Sequence, residues 1–133
     1  MSPATTPIIE TTPALAEATE IRRLFSALAD VTRIRIVNML SAGELCVCDI
    51  VELLEVPQST ASRHLAVLRD EGLVVVERRG RFAHYRLASS ADSGRQSLLA
   101  ELQAVIGRPE GLEHERCWAA ERSAARLAEP CEP

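Results

Sequence analysis

Apolar residues recur along this chain in two rhythms, and the switch between them sets the expected elements. Thr12-Pro13 reads as an N-cap followed by proline at the first helical position. Ile21, Leu24, Phe25 and Leu28 then fall at i, i+3, i+4 and i+7, one face of an amphipathic helix. Asp30 caps a second helix that turns Ile34, Val37, Met39 and Leu40 inward and stops at Ser41-Ala42-Gly43. A third, short helix runs over about 47–54 and buries Ile50, Leu53 and Leu54. Val56-Pro57 forces a turn, because the residue before proline is pushed out of the helical region. The fourth helix, "QSTASRHLAVLRDEG", points Ala61, Leu65 and Leu68 inward and stops at Gly72.

The rhythm then changes. In "LVVVERRGRFAHYRL" the valines, Phe82 and Tyr85 favour strand, and Arg79-Gly80 sits where a hairpin must turn. Helical spacing returns over 92–106 through Leu98, Leu99, Leu102, Val105 and Ile106, until Gly107 and Pro109 break it. A last helical segment is expected over roughly 112–127, carrying His114, Cys117 and Trp118. These elements divide the chain into a disordered arm at 1–12, a domain at 13–107 and a C-terminal extension at 108–133.

Two short helices joined by a tight turn and followed by a hairpin form a winged helix-turn-helix, mainly α with a β-hairpin wing. With Ala61, Leu65 and Leu68 in the core, the rest of the fourth helix shows Gln58, Ser59, Thr60, Ser62, Arg63 and His64. These side chains donate to and accept from base edges and phosphates. They cluster in the helix's N-terminal half, the part that helix-turn-helix proteins place in the major groove. The hairpin adds Arg78, Arg79 and Arg81 around Gly80, suited to a wing along the backbone or minor groove. The alternative for each feature is an ordinary solvated surface; their succession in one short span favours double-stranded DNA as the partner.

Net charge tests that expectation. The 133-residue chain carries −4, which argues against nucleic acid at first. Its distribution does not: residues 21–108 hold 12 basic and 10 acidic side chains, and the excess of glutamate lies in the two tails. All 15 basic residues are arginine, the side chain best shaped for bidentate phosphate and guanine contacts. No apolar run approaches the ~18 residues of a membrane span. The N-terminal stretch lacks the pattern of a signal peptide. The expected location is the cytoplasm, where thiols stay reduced.

Four blocks occur in order: "ALADVTRIRIVNML", "ELCVCDI", "STASRHLAVLRDEGLV" and "RRGRFAHYRL". Over about residues 15–106 the chain resembles the ArsR/SmtB family of metal-responsive repressors. The resemblance implies a homodimeric winged helix-turn-helix that leaves its operator when metal binds. It also implies a dimer seam on the first helix and the helix after the wing, where Phe25, Leu28, Leu99 and Leu102 are core or seam.

Cys46 and Cys48 sit two residues apart, and on a regular helix such residues point about 200° from each other. They reach one ion only if Cys46 precedes the first turn or if binding unwinds it. The helix N-terminus is also expected to lower their thiol pKa and favour the soft thiolate ligand. Closing a chelate there would reshape the start of the first helix of the DNA-binding pair. "ELCVCD" resembles the arsenic-sensing branch, which implies trivalent arsenic or antimony as inducer and three thiolates as ligands. The commonest pattern of that branch places a third cysteine where this chain has Val51. Cys117, beside Trp118 on a helix, is preferred as third ligand to Cys131 in the tail, and the same-subunit or cross-dimer origin stays open.

Alternatives follow from the same residues. Cadmium- and lead-sensing relatives add cysteines in the N-terminal arm, and no cysteine precedes Cys46 here. Zinc-sensing relatives use paired Asp/His and His/Glu ligands on the helix matching 92–106, where Asp92 is present without its histidines. His114 and Cys117 form at most half of another zinc site. A redox-switched repressor would oxidise the Cys46–Cys48 pair. A thiol–disulfide enzyme would need the two-residue gap and the strand–helix alternation that are missing here, so no enzyme and no required cofactor are expected.

Overall fold

The computed structural model describes residues 12–89, 93–106 and 109–128. The expected N-terminal arm (apart from Thr12), Asp92, Gly107 and Cys131 lie outside them. The Thr12 hydroxyl accepts from the Leu15 amide at 3.1 Å and starts α1 (Pro13–Leu28) with proline at its head. The Asp30 carboxylate caps α2 (Val31–Leu40) through the Arg33 amide, also at 3.1 Å. Then follow β1 (Leu45–Cys46), α3 (Val47–Leu54), α4 (Gln58–Asp70), β2 (Val74–Arg79), β3 (Phe82–Leu87), α5 (Ser93–Ile106) and α6 (Glu110–Ala128).

Between α3 and α4 the chain turns at Glu55, which takes a left-handed conformation (φ 55°, ψ 43°) before Val56-Pro57. Ile36, Ile50, Leu65, Leu68 and Leu73 meet in a fully buried core, each worth about 1.5–3 kcal/mol of burial. Ile21 and Phe25, on the same stripe of α1 as buried Leu24 and Leu28, stay exposed in the single chain, as does Val105 on α5.

The wing is larger than the expected hairpin. β3 lies in the centre of a three-stranded antiparallel sheet, with β2 on one side and β1 on the other. Arg79 faces Phe82 across a two-residue turn that Gly80 enters at φ 62°. On the other edge Leu45 pairs with Tyr85 and Cys46 with His84, so the cysteine stretch is part of the wing's own sheet.

The C-terminal extension is docked. α6 lies against α2, where buried Asn38 donates to the Leu112 carbonyl at 2.7 Å and Arg35 pairs with Glu115. At Gly43 (φ 149°) α6 comes so close that an added Cβ would sit 3.0 Å from the Ser123 Cβ.

Candidate functional site

Cys46 is the N-cap of α3, in extended conformation (φ −75°, ψ 153°), and Cys48 belongs to the first turn. The obstacle posed by a regular helix is therefore removed, since Cys46 precedes the first turn. The two sulfurs face each other 2.6 Å apart as free thiols, Cys46 fully buried and Cys48 exposed. The cap is a capping box in which sulfur replaces the usual hydroxyl. The Cys46 sulfur accepts from the Cys48 amide at 3.4 Å, and the Asp49 carboxylate takes the Cys46 amide at 3.2 Å. The sequence signal was C-x-x-D in place of S/T-x-x-E.

One electrostatic expectation is overturned. The Cys48 thiol is not lowered by the helix N-terminus but pushed up to about 11. Although the residue as a whole is exposed, partial loss of water around the sulfur is the main cause, followed by its hydrogen bond with Cys46, the Cys46 charge and Asp49; Arg126 opposes them without prevailing.

Two arginines of α6 complete this corner, and the sequence reading missed both. Arg126 meets fully buried Asp49 with Nε at 3.2 Å and Nη2 at 2.9 Å, and the same Nη2 reaches the Cys48 sulfur at 3.2 Å. Asp49 in turn holds the guanidinium pKa above its usual value. Arg122 binds Glu52 at 3.0 and 3.2 Å and stacks 4.6 Å over Trp118. The i, i+4, i+8 spacing of Trp118, Arg122 and Arg126 was the available signal.

Cys117 does not join the pair. It is exposed on α6, and among the described residues no group of three His, Cys, Asp or Glu side chains is placed to hold a metal ion. His114 is likewise exposed. The structure thus offers two soft donors on one side of a helix start, which fits an ion or metalloid that accepts sulfur; within the single chain no third ligand stands beside them among the described residues.

On α4, Gln58, Ser59 and Arg63 are exposed and Thr60 and Ser62 half-buried, together on the first two turns. Pro57 at the N-cap provides no side-chain acceptor for the first amides of α4, and its carbonyl takes the Thr60 and Ala61 amides at 3.0 and 3.1 Å. His64 is half-buried. It lies beside the buried Ala61–Leu65 stripe, and its Nδ1 sits 3.1 Å from Arg33 Nη1 and 3.8 Å from the Asp30 carboxylate. Burial pushes the Asp30 carboxyl up, but the Arg33 amide and guanidinium, with His64, outweigh it and leave it below its ordinary value. In the wing, Arg78 and Arg81 are exposed, whereas Arg79 is engaged by Glu44 at 2.6 Å and Glu77 at 3.1 Å. Among the described residues no helix is long and apolar enough to cross a membrane.

A three-stranded wing behind two short helices, with exposed polar side chains on the second, defines a winged helix-turn-helix. Comparison with known proteins agrees. The family model "Bacterial regulatory protein, arsR family" matches residues 30–76. The arsenical resistance operon repressor of Escherichia coli (strain K12) is 51% identical over 67 residues, 50% of this chain and 57% of that protein. The CadC homolog of Staphylococcus aureus, a cadmium resistance transcriptional regulatory protein, is 39% identical over 69 residues, 51% of this chain and 57% of that one. The solution structure of a homodimeric winged helix-turn-helix DNA-binding domain from Mycobacterium bovis, a possible ArsR-family regulator, superposes with a TM-score of 0.62. It is 32% identical, covering 81% of this chain and 95% of that one. The chain belongs to the ArsR family. It spans little more than half the length of the two curated relatives.

Proposed function

We propose that this protein is a transcriptional repressor that binds operator DNA as a homodimer and releases it when Cys46 and Cys48 capture trivalent arsenic or antimony. The observation that carries this reading is the placement of two facing thiols at the N-cap of the first helix of the DNA-binding pair. Two sulfurs bonded to one ion at ~2.3 Å each must lie well over 3 Å apart. Capture therefore has to spread the pair. Cys46 is fixed by burial and by its place in β1, so Cys48 and the first turn of α3 must move. α3 packs on α4, and the shift displaces Gln58, Ser59, Thr60, Ser62 and Arg63 relative to the wing arginines Arg78, Arg79 and Arg81. The exposed apolar side chains of α1 and α5, Ile21, Phe25 and Val105, suit a dimer seam.

The inducer is argued from the ligands. Two sulfurs that no carboxylate or imidazole among the described residues joins favour arsenic and antimony over cadmium, lead or zinc, although one relative is named for cadmium resistance. A third thiol would come from Cys131, outside the described residues, or from Cys117 of the partner subunit. The test is fluorescence anisotropy on an operator selected from random duplexes, titrated with arsenite, antimonite, cadmium, lead and zinc. Arsenite release at the lowest concentration, lost in Cys46→Ser and Cys48→Ser but kept in Cys117→Ser, is the expected result. Release by cadmium or zinc alone sinks the arsenic assignment.

The 2.6 Å sulfur contact also favours a second reading, a redox switch in which the two thiols give two electrons and two protons to a peroxide and form a disulfide. Peroxide, with arsenite inactive, would then release the DNA.

A further inference from the structure

The start of α3 depends on α6, a helix beyond the residues that the family model matches. Asp49 is fully buried, and its carboxylate is met by four donors: the Cys46 amide at 3.2 Å, Arg126 Nε at 3.2 Å, Arg126 Nη2 at 2.9 Å and Arg122 Nη1 at 3.5 Å. A carboxylate taken out of water needs such donors in its place, and both cations among them come from α6. The same Arg126 nitrogen lies 3.2 Å from the Cys48 sulfur. One guanidinium thus touches the carboxylate that orients the Cys46 backbone and the sulfur of Cys48.

We infer that Arg126 is a positioning residue of the thiol pair. Acting through Asp49, it holds Cys46 and Cys48 on one side of the helix start, so that α6 is a structural wall of the inducer site. The inference rests on the dithiol reading above only for its binding arm. Its physical basis is the direction in which the corner fails. Without Arg126, Asp49 keeps the Cys46 amide and one long contact to Arg122, and its remaining lone pairs are satisfied only by water. Reaching water opens the first turn of α3. Residues two apart on an opened turn no longer present both sulfurs to one side. Arg122 cannot replace Arg126, because its shorter contacts are to Glu52.

The experiment uses the full chain and three variants: Arg126→Gln, Arg126→Lys, and the double variant Asp49→Asn with Arg126→Gln. Two quantities are measured, amide hydrogen exchange at residues 46–50 without inducer, and arsenite affinity by equilibrium dialysis. Arg126→Gln is expected to speed exchange at 46–50 and to weaken arsenite binding, each by roughly tenfold, the loss of a charge-assisted hydrogen bond at a buried carboxylate. Exchange in β2 and β3 stays unchanged. The double variant removes the charge that needed compensation while Asn still accepts the Cys46 amide, and it should return both quantities to within about threefold of the parent. Arg126→Lys, keeping charge but losing the two-pronged geometry, should fall between; it carries the test if Arg126→Gln unfolds. Unchanged exchange in the single variants, or losses that the double variant does not recover, overturn the inference. If exchange follows the expected pattern but the parent chain binds no arsenite, the inducer reading fails and the positioning role stands.

Discussion

The guanidinium of Arg79 holds the carboxylate of Glu44 at 2.6 and 3.2 Å, tying the tip of the wing to the residue two places before Cys46. Arg79 therefore has to exchange a carboxylate for a phosphate before it can serve DNA, whereas exposed Arg81 has no such pair among the described residues. Arg81→Ala should lower the slope of log affinity against log salt by about one, as one phosphate contact requires. Arg79→Ala should lower it by clearly less. Salt titrations of DNA binding by anisotropy check this, and equal slope changes would show that Glu44 releases Arg79 on DNA.

Arg63 is exposed on the second turn of α4, one step from half-buried Ser62 and well placed for a base edge. Replacing it with Ala should reduce discrimination between operator and scrambled duplex by about 1–3 kcal/mol, the worth of one bidentate base contact. His64→Ala should change stability more than discrimination, since its ring lies against Arg33 and Asp30. Competition binding with scrambled DNA separates the two. Equal losses on both duplexes for Arg63→Ala would sink its assignment.

The α-helical frame was legible because its punctuation is local. Thr12-Pro13, Asp30, Pro57 and Gly72 start or stop helices through their own backbone and side-chain chemistry. β1 was not legible, since two residues have no period and its partner strand lies nearly forty positions away. Periodicity placed Ile21 and Phe25 beside Leu24 and Leu28 but could not say that the first two remain exposed in the single chain. The thiol pair was legible as chemistry, and its sharing of one side followed only once Cys46 was seen to be the cap. Arg122 and Arg126 were invisible for a different reason. Their partner is a buried Asp more than seventy residues earlier, and an arginine on a helix reads by default as solvated.

Gly43 tests the docking of α6. Its φ of 149° disfavours a side chain, and a Cβ would crowd Ser123 on α6. Gly43→Ala should destabilise the fold by about 2 kcal/mol, backbone strain and overpacking acting together. Thermal unfolding by circular dichroism measures it. A midpoint equal to that of the parent chain would mean that α6 sits further from the Gly43 turn.

The raised Cys48 thiol has a sign that can be checked. Its folded value, about 11, exceeds the ~8.5 of a free cysteine, so the neutral thiol favours the fold. That contribution is fully present below about pH 8.5 and is lost as pH rises through 11. Alkylation by iodoacetamide follows the thiolate, so Cys48 at pH 7.5 should react about three hundredfold more slowly than free cysteine. Its rate should keep rising to pH 11, where free cysteine has already reached its plateau. A plateau near pH 8.5, read by mass spectrometry of the Cys48 peptide, contradicts the assignment of burial and Cys46 as the cause.

The number of thiols predicts which arsenical binds best. Cys46 and Cys48 face each other, and Cys117 stands exposed on α6 outside their reach. Trivalent arsenic forms three bonds, so a site with two sulfurs leaves one arsenic valence to hydroxide. A methylated trivalent arsenical has that valence already filled by carbon and loses nothing at a two-thiol site. It should therefore release operator DNA at a lower concentration than arsenite, and Cys117→Ser should leave both concentrations within about twofold of the parent. If a third thiol closes the site, arsenite gains a bond that the methylated form cannot make, and the order reverses. Parallel anisotropy titrations with the two arsenicals, in the parent chain and in Cys117→Ser and Cys131→Ser, decide between two sulfurs and three. Reversal confined to the chains that keep Cys131 would identify that residue as the third ligand.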